Sequence, residues 1–152
     1  MSKVVILSGI PGSGKSTIAR EMTKDGGVIC SADQHFTDEK GDYKFVPFEL
    51  QIAHAKCMKK FIEAIQAGEK IVVVDNTNTS IEQVSPYYLV AKAFGLRDIT
   101  LMILKCSPNL ALERNTHNVP QHNVLQHHDR LSQMRVPATW KLDLIQRQVQ
   151  AE

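Results

Sequence analysis

The chain has 152 residues and a mass of 17.0 kDa, and 43 % of its residues are hydrophobic and 22 % charged. One domain fits this length, and the composition excludes a disordered chain, a collagen-like repeat and a coiled coil. The formal net charge is +2, from 18 Lys and Arg against 16 Asp and Glu. Any contact with nucleic acid would therefore be local, because these counts do not supply a broad basic face.

Targeting and redox features of the sequence indicate one compartment. No apolar run approaches the ~20 residues of a membrane span. Gly9 and Pro11 interrupt the apolar N-terminal stretch too early for a secretion signal. The three cysteines, Cys30, Cys57 and Cys106, lack the close pairs of zinc sites and disulfide frameworks. The sequence therefore predicts a cytoplasmic protein without a membrane contact.

Short apolar runs alternate with helix-period segments along the chain. The predicted strands are 4–7, 28–30, 71–74 and 99–104. Within these runs polar and apolar residues do not alternate, which is typical of strands buried on both faces of a parallel sheet. Helical patterns follow the first strand, cover residues 48–67 and begin again after Thr79. This order predicts an α/β fold whose parallel strands all end at one edge of the sheet.

Boundary signals locate the later helices. Thr79 and Glu82 fit a capping box at the start of the third helix. Ser107, which is followed by proline, is a predicted N-cap. Residues 108–134 are predicted to be helical in two pieces, and the tail after Pro137 has no clear pattern.

A glycine-rich motif follows the first predicted strand and precedes a helix. It matches G-x-x-x-x-G-K-[ST] in the context that makes this motif specific for phosphate binding. The loop consists of Gly9, Ile10, Pro11, Gly12, Ser13, Gly14, Lys15, Ser16 and Thr17. Its backbone N–H groups and the positive end of the following helix would hold the phosphates of ATP or another NTP. Lys15 is expected on the β- and γ-phosphates, and Ser16 on Mg²⁺.

Two carboxylates are expected at the same sheet edge as this loop. Asp33 shortly follows the second strand and Asp75 closes the third. A carboxylate there can accept the proton of an attacking hydroxyl or hold magnesium. The structural alternatives are a helix cap for Asp33 and a turn acid for Asp75. Asn76, Thr77 and Asn78 follow directly and fit ligand contacts and local loop caps equally well.

The placement of arginine indicates the kind of acceptor. Arg114 follows the fourth strand, where it can neutralise charge on a transferring phosphoryl group, with a surface salt bridge as the alternative. No arginine occurs between Glu21 and Lys92, the region that would contact the second substrate. Because phosphate-bearing acceptors are usually clamped by arginines, we predict a hydroxyl acceptor.

Several aromatic and histidine side chains are given structural interpretations. Tyr43, Phe45 and Phe48 could stack on a base, but core packing is favoured. His54 is predicted to be a core histidine on the same helix face as Cys57.

Metal binding is not expected for the four histidines in the last third of the chain. On its predicted helix, His128 is placed near the apolar side and His127 near solvent. The four residues are His117, His122, His127 and His128.

Taken together, these motifs resemble the kinase domain of phage-type 5′-hydroxyl polynucleotide kinases and their small stand-alone relatives. The resemblance covers about residues 3–135. It rests on the phosphate loop, Ser31-x-Asp33, Asp75-Asn-Thr-Asn78, Arg114-Asn-x-His117-x-Val-Pro120 and Gly41-x-Tyr-x-Phe45. It implies a single P-loop kinase domain over 1–152, an α/β three-layer sandwich of the P-loop NTPase type with a short parallel sheet and a helical lid over about 108–134.

The resemblance also implies roles for individual residues. Asp33 would be the general base that activates the acceptor hydroxyl. Lys15 and Arg114 would stabilise the transferring phosphoryl group, and Ser16 with Asp75 would organise magnesium.

The acceptor side departs from the phage-type pattern. Phe36 stands where phage-type enzymes carry an arginine that grips the acceptor end, and Asn118 stands where they carry a second lid arginine. Phe36, Asn76 and Asn78 are the candidate substrate contacts.

These features predict an ATP- and Mg²⁺-dependent phosphotransferase acting on a hydroxyl, with the 5′-hydroxyl of an RNA or DNA end as the leading acceptor. One alternative is a small-molecule kinase for a nucleoside or sugar. Another is a nucleotide-binding NTPase module without an organic acceptor. The nucleic-acid 5′ end is the predicted partner, as substrate, and no stable protein partner is predicted.

Overall fold

Within the part of the chain that the structure describes, five parallel strands form the sheet, in the order β2-β3-β1-β4-β5. The computed structural model describes residues 1–114 and 118–150. The strands are β1 (Lys3–Ser8), β2 (Val28–Cys30), β3 (Ile71–Asp75), β4 (Ile99–Lys105) and β5 (Asp143–Gln148).

Helices connect the strands and lie on both sides of the sheet. They are α1 (Lys15–Thr23), α2 (Leu50–Gln66), α3 (Ile81–Ala93), α4 (Pro108–Glu113) and α5 (Gln121–Gln133). Two 3-10 helices, Ala32–Phe36 and Pro47–Glu49, lie between β2 and α2. Within the described ranges, no helix combines the length and the apolar character needed to cross a membrane.

Successive residues of the central strands pack on opposite faces of the sheet. Val4 of β1 packs in a cluster with Phe61 of α2 and Tyr87 of α3. Val5, the next residue, packs on the other face with Ala19 of α1. Because both faces are covered, the central strands are apolar throughout. The structure confirms the predicted three-layer α/β sandwich and all four predicted strands.

β5 lies in the tail after Pro137, where the sequence has no clear pattern. It pairs in parallel with β4 at the edge of the sheet, and all six of its residues are exposed. An exposed edge strand lacks the continuous apolar run that marks a buried one. The segment before it is anchored by Trp140, whose ring stacks on Tyr88 at a centroid distance of 4.4 Å. The Lys141 N–H also donates to Tyr88 Oη at 2.7 Å.

Two of the three predicted helix-boundary features are confirmed. Ser107 caps α4 by accepting from the Leu110 N–H at 3.2 Å, and α4 and α5 are the two predicted helical pieces. The capping box between Thr79 and Glu82 is wrong, because α3 starts one residue later, with Ser80 as N-cap. Gln83 takes over the reciprocal bond, since its side-chain oxygen accepts from the Thr79 N–H at 2.8 Å.

The three cysteines are buried free thiols. Burial raises the pKa of each thiol, to about 12 for Cys30. Cys57 lies within hydrogen-bond distance of Tyr87 Oη, at 3.2 Å. Since the thiolate is the reactive form, burial makes these groups poor nucleophiles.

Candidate active site

The phosphate loop lies between the end of β1 and the start of α1, at the carboxyl edge of the sheet. Gly12 and Gly14 have positive φ values of 86° and 95°, which favour glycine. A Cβ atom added to Gly12 would stand 2.2 Å from the Ala111 carbonyl oxygen of α4. Ile10, which is 1 % exposed, packs with Ala111 and with Val124 of α5. The loop is therefore packed directly against both helices of the predicted lid.

Lys15 points back into this loop. Its Nζ atom donates to the carbonyl oxygens of Gly9 at 2.9 Å and Ile10 at 3.0 Å. Burial lowers the pKa of Lys15 to about 8, and the negative charges of Asp75 and Asp33 oppose that change. A buried ammonium group enclosed by a loop of backbone amides fits the phosphate chain of a nucleotide.

Ser16 and Asp75 are joined across the base of the loop. The Ser16 hydroxyl donates to Asp75 Oδ2 at 3.1 Å. Burial raises the pKa of Asp75, while Lys15 and the Ser16 hydrogen bond act against that rise. Both groups offer oxygen, and Mg²⁺ binds through one or two protein oxygens together with substrate phosphates. The donor set therefore fits the predicted magnesium site.

Asp33 lies on the first 3-10 helix, directly beyond β2. The Ser31 hydroxyl caps this helix by accepting from the Asp33 N–H at 3.2 Å. The Tyr43 hydroxyl donates to Asp33 Oδ1 at 3.3 Å. Asp33 is exposed, and its negative charge acts to raise the pKa of Lys15. The two predicted carboxylates, Asp33 and Asp75, thus flank the lysine of the phosphate loop.

The asparagines after β3 make contacts within the protein. The Asn76 side-chain oxygen accepts from the Ala32 N–H at 2.8 Å, which fixes the 3-10 helix of Asp33 to the end of β3. Asn78 is 2 % exposed, has φ 47° and donates through Nδ2 to the Leu7 carbonyl at 2.8 Å. These bonds favour a role in loop structure, and the substrate role of both asparagines stays a prediction.

The aromatic residues near Asp33 divide into a buried and an exposed set. Phe36 is 6 % exposed and packs with Ala32 and Ala53, so its substrate role also stays a prediction. Phe45 is 49 % exposed and Phe48 is 86 % exposed, so the favoured core packing is wrong for both. Phe45 lies on the segment between the two 3-10 helices and Phe48 on the second of them, and both rings are on the surface of the protein.

Arg114 lies at the C-terminal end of α4. Its Nη2 atom donates to the Gln150 carbonyl at 3.1 Å, beyond β5. The positive charge of Arg114 also acts to lower the pKa of the Cys106 thiol, which directly follows β4. Arg114 is therefore held between the sheet edge and the tail. His117, which completes the predicted motif, lies outside the described residues.

His127 is the residue of this region that sequence reasoning misplaced. Its Nδ1 atom lies 3.1 Å from Thr79 Oγ1, in the loop that follows Asp75. Burial lowers the pKa of His127 to about 4, and the positive charges of Arg130 and Lys15 act in the same direction. His127 follows the fully buried Val124 by three residues, so the two residues share the inner face of α5.

His54 was also misplaced, because it is exposed on α2 rather than buried in the core. Partial burial lowers the pKa of His54, and the negative charge of Asp33 opposes that change. His54 therefore lies on the side of α2 that Asp33 influences.

A phosphate loop between β1 and α1, with carboxylates following β2 and β3, defines a P-loop α/β domain of the kinase-like, nucleotide-binding type. A family model described as an AAA domain matches residues 4–136. The chain therefore belongs to this AAA domain family.

Two curated relatives share this region. The chain is 30 % identical to human (Homo sapiens) NEDD4-binding protein 2 over 135 residues, covering 84 % of this chain and 8 % of that protein. It is 32 % identical over 124 residues to the bifunctional polynucleotide phosphatase/kinase of Schizosaccharomyces pombe, covering 82 % of this chain and 26 % of that protein. The chain thus spans about a quarter or less of either relative. The family resemblance to polynucleotide kinases is confirmed.

Solved structures share the fold. A chain of the Pnkp1/Rnl/Hen1 RNA repair complex superposes with a TM-score of 0.68 at 20 % identity, over 87 % of this chain and 44 % of that chain. A gluconokinase from Sinorhizobium meliloti 1021 superposes with a TM-score of 0.64 at 12 % identity, over 99 % of this chain and 84 % of that chain. Both likenesses support the P-loop kinase-type α/β fold.

Proposed function

We propose that the protein is an ATP- and Mg²⁺-dependent phosphotransferase that moves the γ-phosphate to the 5′-hydroxyl of an RNA or DNA end. The observation that carries the proposal is the position of Asp33. It stands exposed beyond β2, and its charge acts on Lys15 of the phosphate loop. A carboxylate at that position is suited to accept a proton from a hydroxyl that attacks the terminal phosphate.

Each of the remaining groups has a distinct task. Lys15 binds the β- and γ-phosphates, and Arg114 neutralises charge on the transferring group once it leaves the Gln150 carbonyl. Ser16 and Asp75 would hold Mg²⁺, which would supply positive charge to the phosphates when bound. The acceptor hydroxyl loses its proton to Asp33, its oxygen bonds to the γ-phosphorus, and ADP departs.

The choice of a nucleic-acid acceptor rests on the relatives. The Schizosaccharomyces pombe protein is named a polynucleotide phosphatase/kinase, and the structural neighbour belongs to an RNA repair complex. The absence of arginine from residues 21 to 92 supports a hydroxyl acceptor over a phosphate-bearing one. A substrate of this kind is compatible with the predicted cytoplasmic location.

A second candidate is a small-molecule kinase. The superposition with this chain covers 84 % of the length of the gluconokinase. The superposition with the chain from the RNA repair complex covers 44 % of that chain. The superposition therefore includes most of a solved small-molecule kinase, which supports a sugar or nucleoside as the alternative acceptor.

The test uses γ-labelled ATP and Mg²⁺ with 5′-hydroxyl RNA, 5′-hydroxyl DNA, nucleosides and gluconate offered separately. Wild-type protein is expected to label an oligonucleotide end. Asp33→Asn is expected to lower that rate about 10²- to 10⁴-fold while ATP binding is retained. Asp42→Asn, which changes an exposed acid of the neighbouring turn, is the matched control and should keep its activity.

The labelled product separates the candidate functions. Label on a nucleoside or gluconate alone would select the small-molecule kinase. Label released only as free phosphate, at equal rates in wild type and Asp33→Asn, would select an NTPase module and overturn the assignment of Asp33.

A further inference from the structure

Two phenylalanines are exposed on the segment that follows the 3-10 helix of Asp33. Phe48 of the second 3-10 helix is 86 % exposed and Phe45 is 49 % exposed. Phe48 stands next to Glu49, whose carboxylate pairs with His35 Nε2 at 2.9 Å on the first 3-10 helix. The two rings therefore lie on a segment fixed to the helix that carries Asp33.

The ring of Phe45 is held in place by its neighbours. It packs edge-to-face on Phe36, with ring centroids 5.0 Å apart and an interplanar angle of 67°. Phe36 is almost fully buried, and its carbonyl accepts from the Lys44 N–H at 2.8 Å. A rigid aromatic ring loses little conformational freedom when a planar ligand stacks on it.

This segment connects directly to the proposed general base. Tyr43, two residues before Phe45, donates its hydroxyl to Asp33 Oδ1. Phe36, which supports the Phe45 ring, follows Asp33 by three residues in the same 3-10 helix. The Phe45 ring is thus one layer of side chains away from the group that would receive the acceptor hydroxyl, and Phe48 follows it by three residues.

Lysines border the same 3-10 helix. Lys56 Nζ lies 3.1 Å from His35 Nδ1, and Lys60 Nζ donates to Gln34 Oε1 at 3.0 Å. Both lysines are exposed on α2, where they offer charge to backbone phosphates. Acidic residues nearby, such as Asp38 and Glu49, limit the net positive charge of this surface. Stacking must therefore supply much of the binding free energy of a nucleic-acid strand.

We propose that Phe45 and Phe48 form a stacking surface for the nucleobases next to the 5′ end of the acceptor strand. The inference rests on the proposed function and names the part of its substrate that this surface recognises. Aromatic rings accept any base, because every base presents a π-face. A single-stranded end with accessible bases is therefore the preferred acceptor.

The test measures steady-state kinetics with a single-stranded 5′-hydroxyl decanucleotide. Phe45→Ala and Phe48→Ala are each expected to raise KM for the oligonucleotide about 5- to 100-fold. KM for ATP and kcat at saturating oligonucleotide should stay at wild-type values. Phe94→Ala, which removes a ring 43 % exposed at the end of α3, is the matched control.

A second pair of variants separates stacking from general apolar contact. Phe48→Trp should retain the wild-type KM, whereas Phe48→Leu, which keeps apolar volume without a ring, should behave like Phe48→Ala. Equal KM values for Phe48→Leu and wild type would overturn the stacking assignment. Oligonucleotide phosphorylation with KM unchanged in both alanine variants would overturn it too, and would leave the exposed rings as a protein-binding surface. If wild type labels no oligonucleotide, the proposed function itself fails, and this inference fails with it.

Discussion

The Ser16 hydroxyl lies 3.1 Å from Asp75 Oδ2, joining the first turn of α1 to the end of β3. The two residues are 59 positions apart, so the contact forms only when β1 and β3 pair in register. The proposed magnesium site and the sheet therefore depend on the same strand pairing.

Asp75→Asn tests the magnesium site. The amide can still accept from Ser16 but removes the negative charge, so a higher Mg²⁺ concentration should be needed for half-maximal activity, by about 10-fold or more. Activity measured against Mg²⁺ concentration at saturating ATP is the assay. Asp98→Asn, an exposed acid before β4 at the opposite edge of the sheet, is the control. An unchanged Mg²⁺ requirement in Asp75→Asn would remove this residue from the site.

Lys15 should take up a proton when nucleotide binds at alkaline pH. Its pKa is lowered to about 8 by burial, so above pH 8 the amine is increasingly neutral in the free protein. Bound phosphates favour the ammonium form, and the apparent Kd for ATP should rise about 5-fold between pH 8 and pH 9. Calorimetry at pH 9 in two buffers of different ionisation enthalpy measures the proton uptake. Lys15→Arg, which stays charged, should bind without that uptake, and an absence of uptake in wild type would contradict the prediction.

His127 should make stability fall in mild acid. Its folded-state pKa is lowered to about 4, below the unfolded value of about 6.5, so the unfolded chain binds more protons in between. The contribution of the neutral His127 ring to the free energy of unfolding is therefore complete above pH 6.5 and is lost as the pH falls towards 4. Its total is about 1–2 kcal/mol, because the ring keeps some contact with water.

Chemical unfolding at several pH values measures this effect as the difference between wild type and His127→Gln. The difference in pH dependence should be confined to the range between about pH 6.5 and pH 4. His122→Gln, an exposed residue on the same helix, should follow the wild-type curve. If the free energy of unfolding changes with pH in the same way in wild type and His127→Gln, the ring has the same pKa in the folded and unfolded states, which would contradict the prediction.

Tyr88 should contribute to stability through the tail. Tyr88→Ala removes the stacking partner of Trp140 and should lower the free energy of unfolding by about 3 kcal/mol. Tyr88→Phe keeps the ring but loses the acceptor of the Lys141 N–H, at a cost of about 1 kcal/mol. Trp140 is the single tryptophan of the chain, so its fluorescence in urea titrations reports both effects. An emission spectrum unchanged in Tyr88→Ala would contradict the anchoring of the tail.

The sequence predicted those parts of the protein that depend on local patterns. Buried parallel strands are apolar throughout, so the runs around Val5 and Val73 identified the central sheet. The phosphate loop has a fixed spacing, and Asp33 and Asp75 were located because parallel strands end at one edge. For that reason the positions of the phosphate loop, Asp33 and Asp75 in the fold were anticipated, and their roles stay predictions.

Features that depend on long-range packing escaped prediction. β5 has no sequence pattern of its own, because its pairing with β4 satisfies its backbone while its side chains stay exposed. Which side of α5 faces inward depends on Ile10 and Ala111, far away in the sequence, so His127 was assigned to solvent. Phe45 and Phe48 are aromatic residues of a type usually found in a core. Their exposure depends on the path of the chain after the first 3-10 helix and through the second.

The burial of all three native thiols makes the protein suited to single-site labelling. A cysteine introduced at an exposed position, such as Gln126 on α5, would be the one readily accessible sulfhydryl, since Cys30, Cys57 and Cys106 are shielded. A fluorophore attached there could be paired with Trp140 as donor, without removal of any native residue. Energy transfer between the two sites would then report the distance between α5 and the segment that leads into β5 in solution, with and without nucleotide.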